Sequence, residues 1–152
     1  MHSDKRIHVL LAEDDPEDRA LVAQALEESR WRTDLHFVED GEDLMDYLHN
    51  RKTYASDTES PRPDLILLDL NMPRKNGREA VREIKADANL RQIPVVVLTT
   101  SKSRDDIFFC YDAGVNSYVT KPETFGVFLD VVRELHHYWL GLGELPRRES
   151  GA

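Results

Sequence analysis

The chain has 152 residues, the size of one ordinary domain with short extensions. Hydrophobic residues make up 40% and charged residues 32%, enough for a buried core under a solvated surface, which argues against disorder except at the two ends. A formal net charge of -9 opposes binding to a phosphate backbone, and a single cysteine, Cys110, rules out an internal disulfide or a metal site of several thiolates.

Met1 to Lys5 are polar and lead straight into an apolar run, with no signal-like region. No later run approaches membrane-spanning length, so a cytoplasmic protein without a membrane partner is expected. Ile7 to Ala12 form an almost continuous apolar run that stops at Glu13-Asp14-Asp15-Pro16, the pattern of a buried strand ending in a turn. Asp15 suits a helix N-cap with Pro16 at the first helical position, and Leu21, Val22, Ala25 and Leu26 carry a helix to about Ser29. Leu35 to Val38 is a second strand, and Leu44, Met45 and Leu48 stripe a helix over about Glu42 to His49. Arg51 to Pro63 is polar and aperiodic and reads as a surface loop.

Leu65-Ile66-Leu67-Leu68 ends at Asp69, and Pro94-Val95-Val96-Val97-Leu98 ends at Thr99-Thr100; both have the composition of central parallel strands. Ala80, Val81 and Ile84 mark a helix starting near Gly77, and Ser103-x-x-Asp106 resembles a capping box opening a fourth helix that ends near Gly114. Ser117 to Thr120 is a short last strand, followed after Lys121-Pro122 by a long helix carrying Phe125, Phe128, Leu129, Val132, His136 and Trp139. Five strands alternating with five helices predict an α/β fold with a doubly wound parallel sheet.

Ligands of such sheets bind outside the carboxyl ends of the strands, where strand order reverses. Those ends carry Glu13 and Asp14, then Asp69, Thr99 and Lys121. Three carboxylates, a hydroxyl and an ammonium would converge, and hard oxygen donors left partly open suit Mg2+ (or Mn2+) together with a phosphate group. Without a cation, Asp14 and Asp69 would oppose each other's ionisation.

Glu13-Asp14-Asp15, Asp69-Leu70-Asn71-Met72-Pro73-x-x-x-Gly77, Leu98-Thr99-Thr100 and Lys121-Pro122, in this order and each at a strand end, resemble the response-regulator receiver family over about Ile7 to Tyr138. The resemblance implies a flavodoxin-like sheet of order 2-1-3-4-5. It also implies that Asp69 is the phosphoacceptor, Asp14 a direct metal ligand, the Asn71 backbone carbonyl a further ligand, and Glu13 a ligand through water. Thr99 and Lys121 would hold the phosphoryl oxygens, the Lys121-Pro122 bond would be cis, and Tyr118 would be the aromatic switch partner of Thr99. The expected organisation is a tail at 1–6, a receiver domain at 7–140 and a tail at 141–152.

Each site residue also has a plainer reading: the acidic triplet as a charged helix start, Asp69 as a turn residue, Thr99 as an ordinary strand end. Their combination at these offsets outweighs those readings. His136 and His137 are adjacent on a helix and do not share a face, so no metal pair is assigned to them, and no thiol chemistry is assigned to Cys110.

With about a dozen residues after the last helix, output is expected through docking. The loop before Asp64, Leu98 to Ser101, Gly114 to Tyr118 and the tail from Tyr138 to Pro146 resemble the small stand-alone regulators paired with bacterial phytochrome histidine kinases. That narrower likeness implies a phytochrome-type histidine kinase as phosphodonor. Phe108, Phe109, Tyr111, Tyr138 and Trp139 supply more aromatic surface than one buried helix face absorbs, which suggests a homodimer through the fourth helix, fifth strand, fifth helix and tail. The rival reading is a metal-dependent phosphatase with an aspartyl nucleophile. Such enzymes use a second acid two residues on, and Asn71 occupies that position.

Overall fold

In the computed structural model, which describes residues 6–28, 33–55 and 60–146, every predicted strand and helix is formed. They are β1 (Ile7–Ala12), α1 (Pro16–Glu27), β2 (Thr33–Val38), α2 (Gly41–Leu48), β3 (Leu65–Leu68), α3 (Gly77–Ala86), β4 (Val95–Thr99), α4 (Arg104–Ala113), β5 (Ser117–Thr120) and α5 (Phe125–His136). The strands make one parallel sheet in the order β2-β1-β3-β4-β5, with Val9 beside Leu65, Ile66 beside Val95 and Val97 beside Tyr118. The chain steps outward from β1 to β2 and then returns across β1 to β3. This reversal opens a crevice above the carboxyl ends of β1 and β3.

Alternation along the strands splits the core into two layers. Leu10, Ile66, Leu68, Val95 and Val97 pack under α2, α3 and α4 against Leu44, Met45, Val81, Ile84 and Cys110. Val9, Leu11, Leu67, Val96 and Leu98 face α1 and α5 and meet Leu21, Val22, Phe128 and Val132. Leu10 and Ile66 are wholly buried, each contributing roughly 1.5–3 kcal/mol of transfer free energy. Cys110 sits in the first layer, where burial pushes its thiol up to about 11 and keeps it unreactive.

The caps are local and specific. Asp15 accepts from the Glu17 and Asp18 amides, so α1 begins as predicted. Asn76 and Glu79 form a reciprocal capping box at α3 that the sequence reading missed. Ser103 caps α4 by accepting from the Asp106 amide, but the expected reciprocal half is taken elsewhere: the Asp106 carboxylate binds Arg78 and Ser101. Gly114, at φ 113°, adopts the left-handed conformation that ends α4.

Three further expectations are corrected. The Lys121-Pro122 peptide is trans, the isomer intrinsically favoured by about 0.5–1 kcal/mol before proline. Phe109 is partly buried against the core with Arg82 over its ring, and Trp139 is partly buried on the α1–α5 layer, so Phe108, Tyr111 and Tyr138 carry the larger share of the exposed aromatic surface. The segment Arg51 to Pro63 is not wholly irregular, because Lys52–Tyr54 form a 3-10 turn and the Tyr47 hydroxyl donates to Pro61 O at 3.0 Å. Residues 56–59 of that loop and 147–152 of the tail lie outside the described residues. After α5 the chain continues as a π-helical segment, His137–Leu142.

His136 is buried, with Nε2 3.2 Å from Thr33 Oγ1, and burial pulls its imidazole down to about 4, the neighbouring His137 adding to the effect. A base whose folded value is depressed takes up its proton more readily when unfolded. Stability is therefore full above about 6.5 and falls as pH drops from there toward 4, by on the order of 3 kcal/mol for this group. Urea unfolding at pH 7 and pH 4.5 is expected to show a smaller loss in His136→Gln than in the unaltered protein; equal losses would contradict the assignment.

Candidate phosphoacceptor and metal site

The turn after β3 begins with Asp69, whose amide donates to Ala12 O at 3.0 Å and ties it to the end of β1. The Asn71 amide donates to Asp69 Oδ1 at 3.1 Å, fixing the carboxylate, which is only 7% exposed. Gly77 closes this turn by donating to Leu70 O at 2.9 Å. A Cβ at Gly77 would lie 2.5 Å from Asp69 O and 2.6 Å from Leu70 Cα, both backbone atoms that cannot yield. Gly77→Ala is therefore expected to destabilise by about 1–3 kcal/mol, reversing the usual benefit of alanine in a helix, and to displace Asp69. Thermal unfolding of Gly77→Ala against the unaltered protein checks this, an unchanged midpoint contradicting it.

Glu13 and Asp14 follow β1. The Glu13 amide donates to Val38 O at 3.0 Å, and its carboxylate accepts from the Asp15 amide at 3.2 Å. Glu13 is buried and Asp14 exposed, yet carboxylate oxygens of Glu13, Asp14 and Asp69 all lie within 4.8 Å of one another. Such a set of hard oxygens at an accessible rim has the chemistry that would hold Mg2+ or Mn2+, with positions left for water and a phosphate oxygen.

Lys121 leaves β5 with its amide donating to Thr99 O at 2.7 Å, and its side chain runs back into the carboxylates. Its Nζ donates to Glu13 Oε1 at 2.6 Å, Asp18 Oδ2 at 2.7 Å and Asp69 Oδ2 at 3.1 Å. Burial alone would pull the ammonium down, but the Asp18 and Glu13 hydrogen bonds and the charge of Asp69 outweigh it and hold Lys121 above its ordinary value. Burial also pushes the Glu13 carboxyl up, against the pull of Lys121.

Thr99 ends β4 fully buried, its hydroxyl 3.5 Å from Asn71 Nδ2. Tyr118 is half-buried against the core beneath α4, and its hydroxyl donates to Ser101 O at 2.9 Å. The Arg78 guanidinium grips Asp106 through two bonds of 2.6 Å, and Asp106 accepts from Ser101 Oγ at 2.6 Å. The Arg78 bond holds the Asp106 carboxyl down at about 2.

The structure thus brings together Glu13, Asp14, Asp69 and Lys121, with Thr99 and Asn71 beside them, as the sequence predicted. Asp18 and the Arg78–Asp106 pair were missed. Asp18 looked like one more acid in the first turn of α1. Asp14 precedes the N-cap of α1, so no helical spacing relates it to Asp18, and nothing in the local sequence pointed to Lys121.

A doubly wound sheet with an acidic cluster, a lysine and a threonine at its switch point defines a phosphoryl-accepting signalling domain, and the chain belongs to the response regulator receiver domain family, whose model matches residues 9–133. It is 41% identical over 138 residues to response regulator Rcp1 of Synechocystis sp., covering 91% of this chain and 92% of that protein. Among solved structures it resembles the phosphorylated cyanobacterial phytochrome response regulator RcpA, with TM-score 0.89 and 42% identity over 94% of this chain and all of that one (100%). It also resembles the Mn2+-bound form of Rcp1, with TM-score 0.89 and 40% identity over 93% of this chain and 99% of that one. The chain is therefore a two-component response regulator receiver, and the phosphatase alternative is set aside.

Proposed function

We propose that Asp69 accepts a phosphoryl group from a histidine kinase of the phytochrome type, with Mg2+ or Mn2+ held by Asp14, Asp69 and the Asn71 carbonyl, and by Glu13 through water. The carrying observation is the convergence of the Glu13, Asp14 and Asp69 oxygens within 4.8 Å beside the Lys121 ammonium. Mn2+ in the Rcp1 structure and phosphorylation in the RcpA structure support it.

A carboxylate oxygen of Asp69 forms the new P–O bond as the bond from phosphorus to the donor breaks, its electron pair leaving with the donor. When bound, the metal supplies charge neutralisation at the phosphoryl oxygens. The Asn71 amide and the backbone tie to Ala12 hold Asp69 in place. Lys121 moves a hydrogen bond onto a phosphoryl oxygen, and Thr99 donates a second as the charge arrives. Asn71 carries no acid two residues beyond Asp69 to protonate a leaving group, so the domain transfers phosphate to and from itself and does not turn over phosphoesters.

The receiver body is residues 7–140, flanked by tails at 1–6 and 141–152, and acts in the cytoplasm. Thr99 and Tyr118 relay the phosphoryl signal to the face formed by α4, β5 and α5, where Phe108 (74% exposed) and Tyr111 (50%), with Tyr138 (54%) in the segment after α5, support a homodimer. Radiolabelled phosphate transferred from an autophosphorylated phytochrome kinase is expected to appear on this chain within a minute. Transfer no faster than from an unrelated kinase would remove the phytochrome pairing, and sedimentation showing only monomer with beryllofluoride would remove the dimer.

A further inference from the structure

An ammonium has three N–H donors and no acceptor, and all three of Lys121's are in use: Glu13, Asp18 and Asp69 each take one. If Asp69 is the phosphoacceptor, as proposed above, a phosphoryl oxygen arriving there needs one of these donors. One carboxylate must then let go.

The three partners are not equivalent. Glu13 is held by the Asp15 amide as well and its side chain is 3% exposed, while Asp69 is the reacting group itself. Asp18 is 24% exposed, sits on α1 outside the group of three carboxylates, and has no hydrogen-bonded partner for its carboxylate besides Lys121 among the described residues. Asp18 and Lys121 also line one cavity of about 440 Å3 with Thr100, Pro122 and Phe125, so there is open space beside the Asp18 carboxylate for it to turn into.

We infer that Asp18 is a positioning residue that parks the Lys121 ammonium in the unphosphorylated state and competes with the phosphoryl group for its third donor. Asp18 therefore opposes phosphorylation. It does so by occupying the donor and by placing a negative charge beside the incoming anion. Removing an acid from this rim should tighten phosphoryl binding, whereas loss of a merely structural residue would weaken it.

The test is the affinity of the whole chain for beryllofluoride, a phosphoryl mimic, with Mg2+ present, read from the bound signal in 19F NMR spectra. Asp18→Asn is expected to bind about fivefold to tenfold more tightly than the unaltered protein, and Asp18→Ser to do the same should the first variant fold poorly. Glu17→Gln removes the same charge one residue away, where no bond to Lys121 exists, and is expected to change affinity by less than twofold, roughly the screened effect of an exposed charge. Unchanged or weaker binding in both Asp18 variants overturns the inference, and so does an equal gain in Glu17→Gln, which would make the effect one of net charge. An unaltered protein that binds no beryllofluoride would instead overturn the phosphoacceptor reading and this inference with it.

Discussion

Asp69→Asn is expected to abolish phosphorylation altogether while leaving the fold intact. The amide has nearly the same shape, and its Oδ1 can keep the Asn71 amide bond of 3.1 Å. What it loses is the charged oxygen that attacks phosphorus, and with it one of three anions in the cluster. The neighbouring carboxylates have other tasks: Glu13 is engaged by Lys121 and the Asp15 amide, Asp18 by Lys121, and Asp14 is the proposed metal ligand. Incubation with acetyl phosphate and Mg2+ should therefore give an acid-stable, base-labile adduct on the unaltered protein and none on the variant. Melting should stay within a few degrees, or rise, since like-charge repulsion is relieved. A phosphorylated Asp69→Asn protein would place the acceptor elsewhere.

Lys121→Met should have the second largest effect, and it separates into two parts. The side chain is 5% exposed and its ammonium is the one cation shared by three carboxylates, so its removal leaves the buried Glu13 and Asp69 carboxylates facing each other. Breaking such a pair costs about 3–5 kcal/mol, which for a chain of this size lowers the melting temperature by about 10 °C. Mg2+ should restore much of this, because a dication offsets the same repulsion. The expected signature is a larger Mg2+-induced rise in melting temperature in the variant than in the unaltered protein. Phosphorylation is a different matter: the donor to the phosphoryl oxygen is gone, and the rate from acetyl phosphate should fall by about 10²-fold even at saturating Mg2+. Equal Mg2+ shifts in both proteins would mean that the lysine and the metal do not share the same carboxylates.

How much of this was readable beforehand depends on the range of the interaction. The strands were legible because sheets buried on both faces demand unbroken apolar runs, as in Leu65–Leu68 and Val95–Thr99. The caps at Asp15 and Ser103 were legible because a cap is decided within three residues, although half of the Ser103 box was lost once Asp106 met Arg78, 28 positions away. The strand order came from resemblance, since apolar runs do not state which neighbours they choose. Asp69, Asp14 and Lys121 were found because the ends of parallel strands must meet at one rim.

Other features were not legible. Asp18 meets Lys121 across 103 positions, a contact that depends on tertiary packing, in which α1 lies against α5. Which of the five aromatics would stay exposed was not legible, because helix rotation decides their direction, and it leaves Phe109 and Trp139 partly buried against the core. The trans Lys121-Pro122 bond departs from the family expectation, and the intrinsic preference is small enough for local context to decide it.

Carboxylates that hold a divalent cation ready Asp69 for phosphorus, and intact-mass measurement after incubation with acetyl phosphate tests this most directly. With Mg2+ the chain should gain a single phosphoryl group, and with excess EDTA essentially none. Equal phosphorylation in both, or a stable adduct that survives Asp14→Ala at low Mg2+, would contradict it.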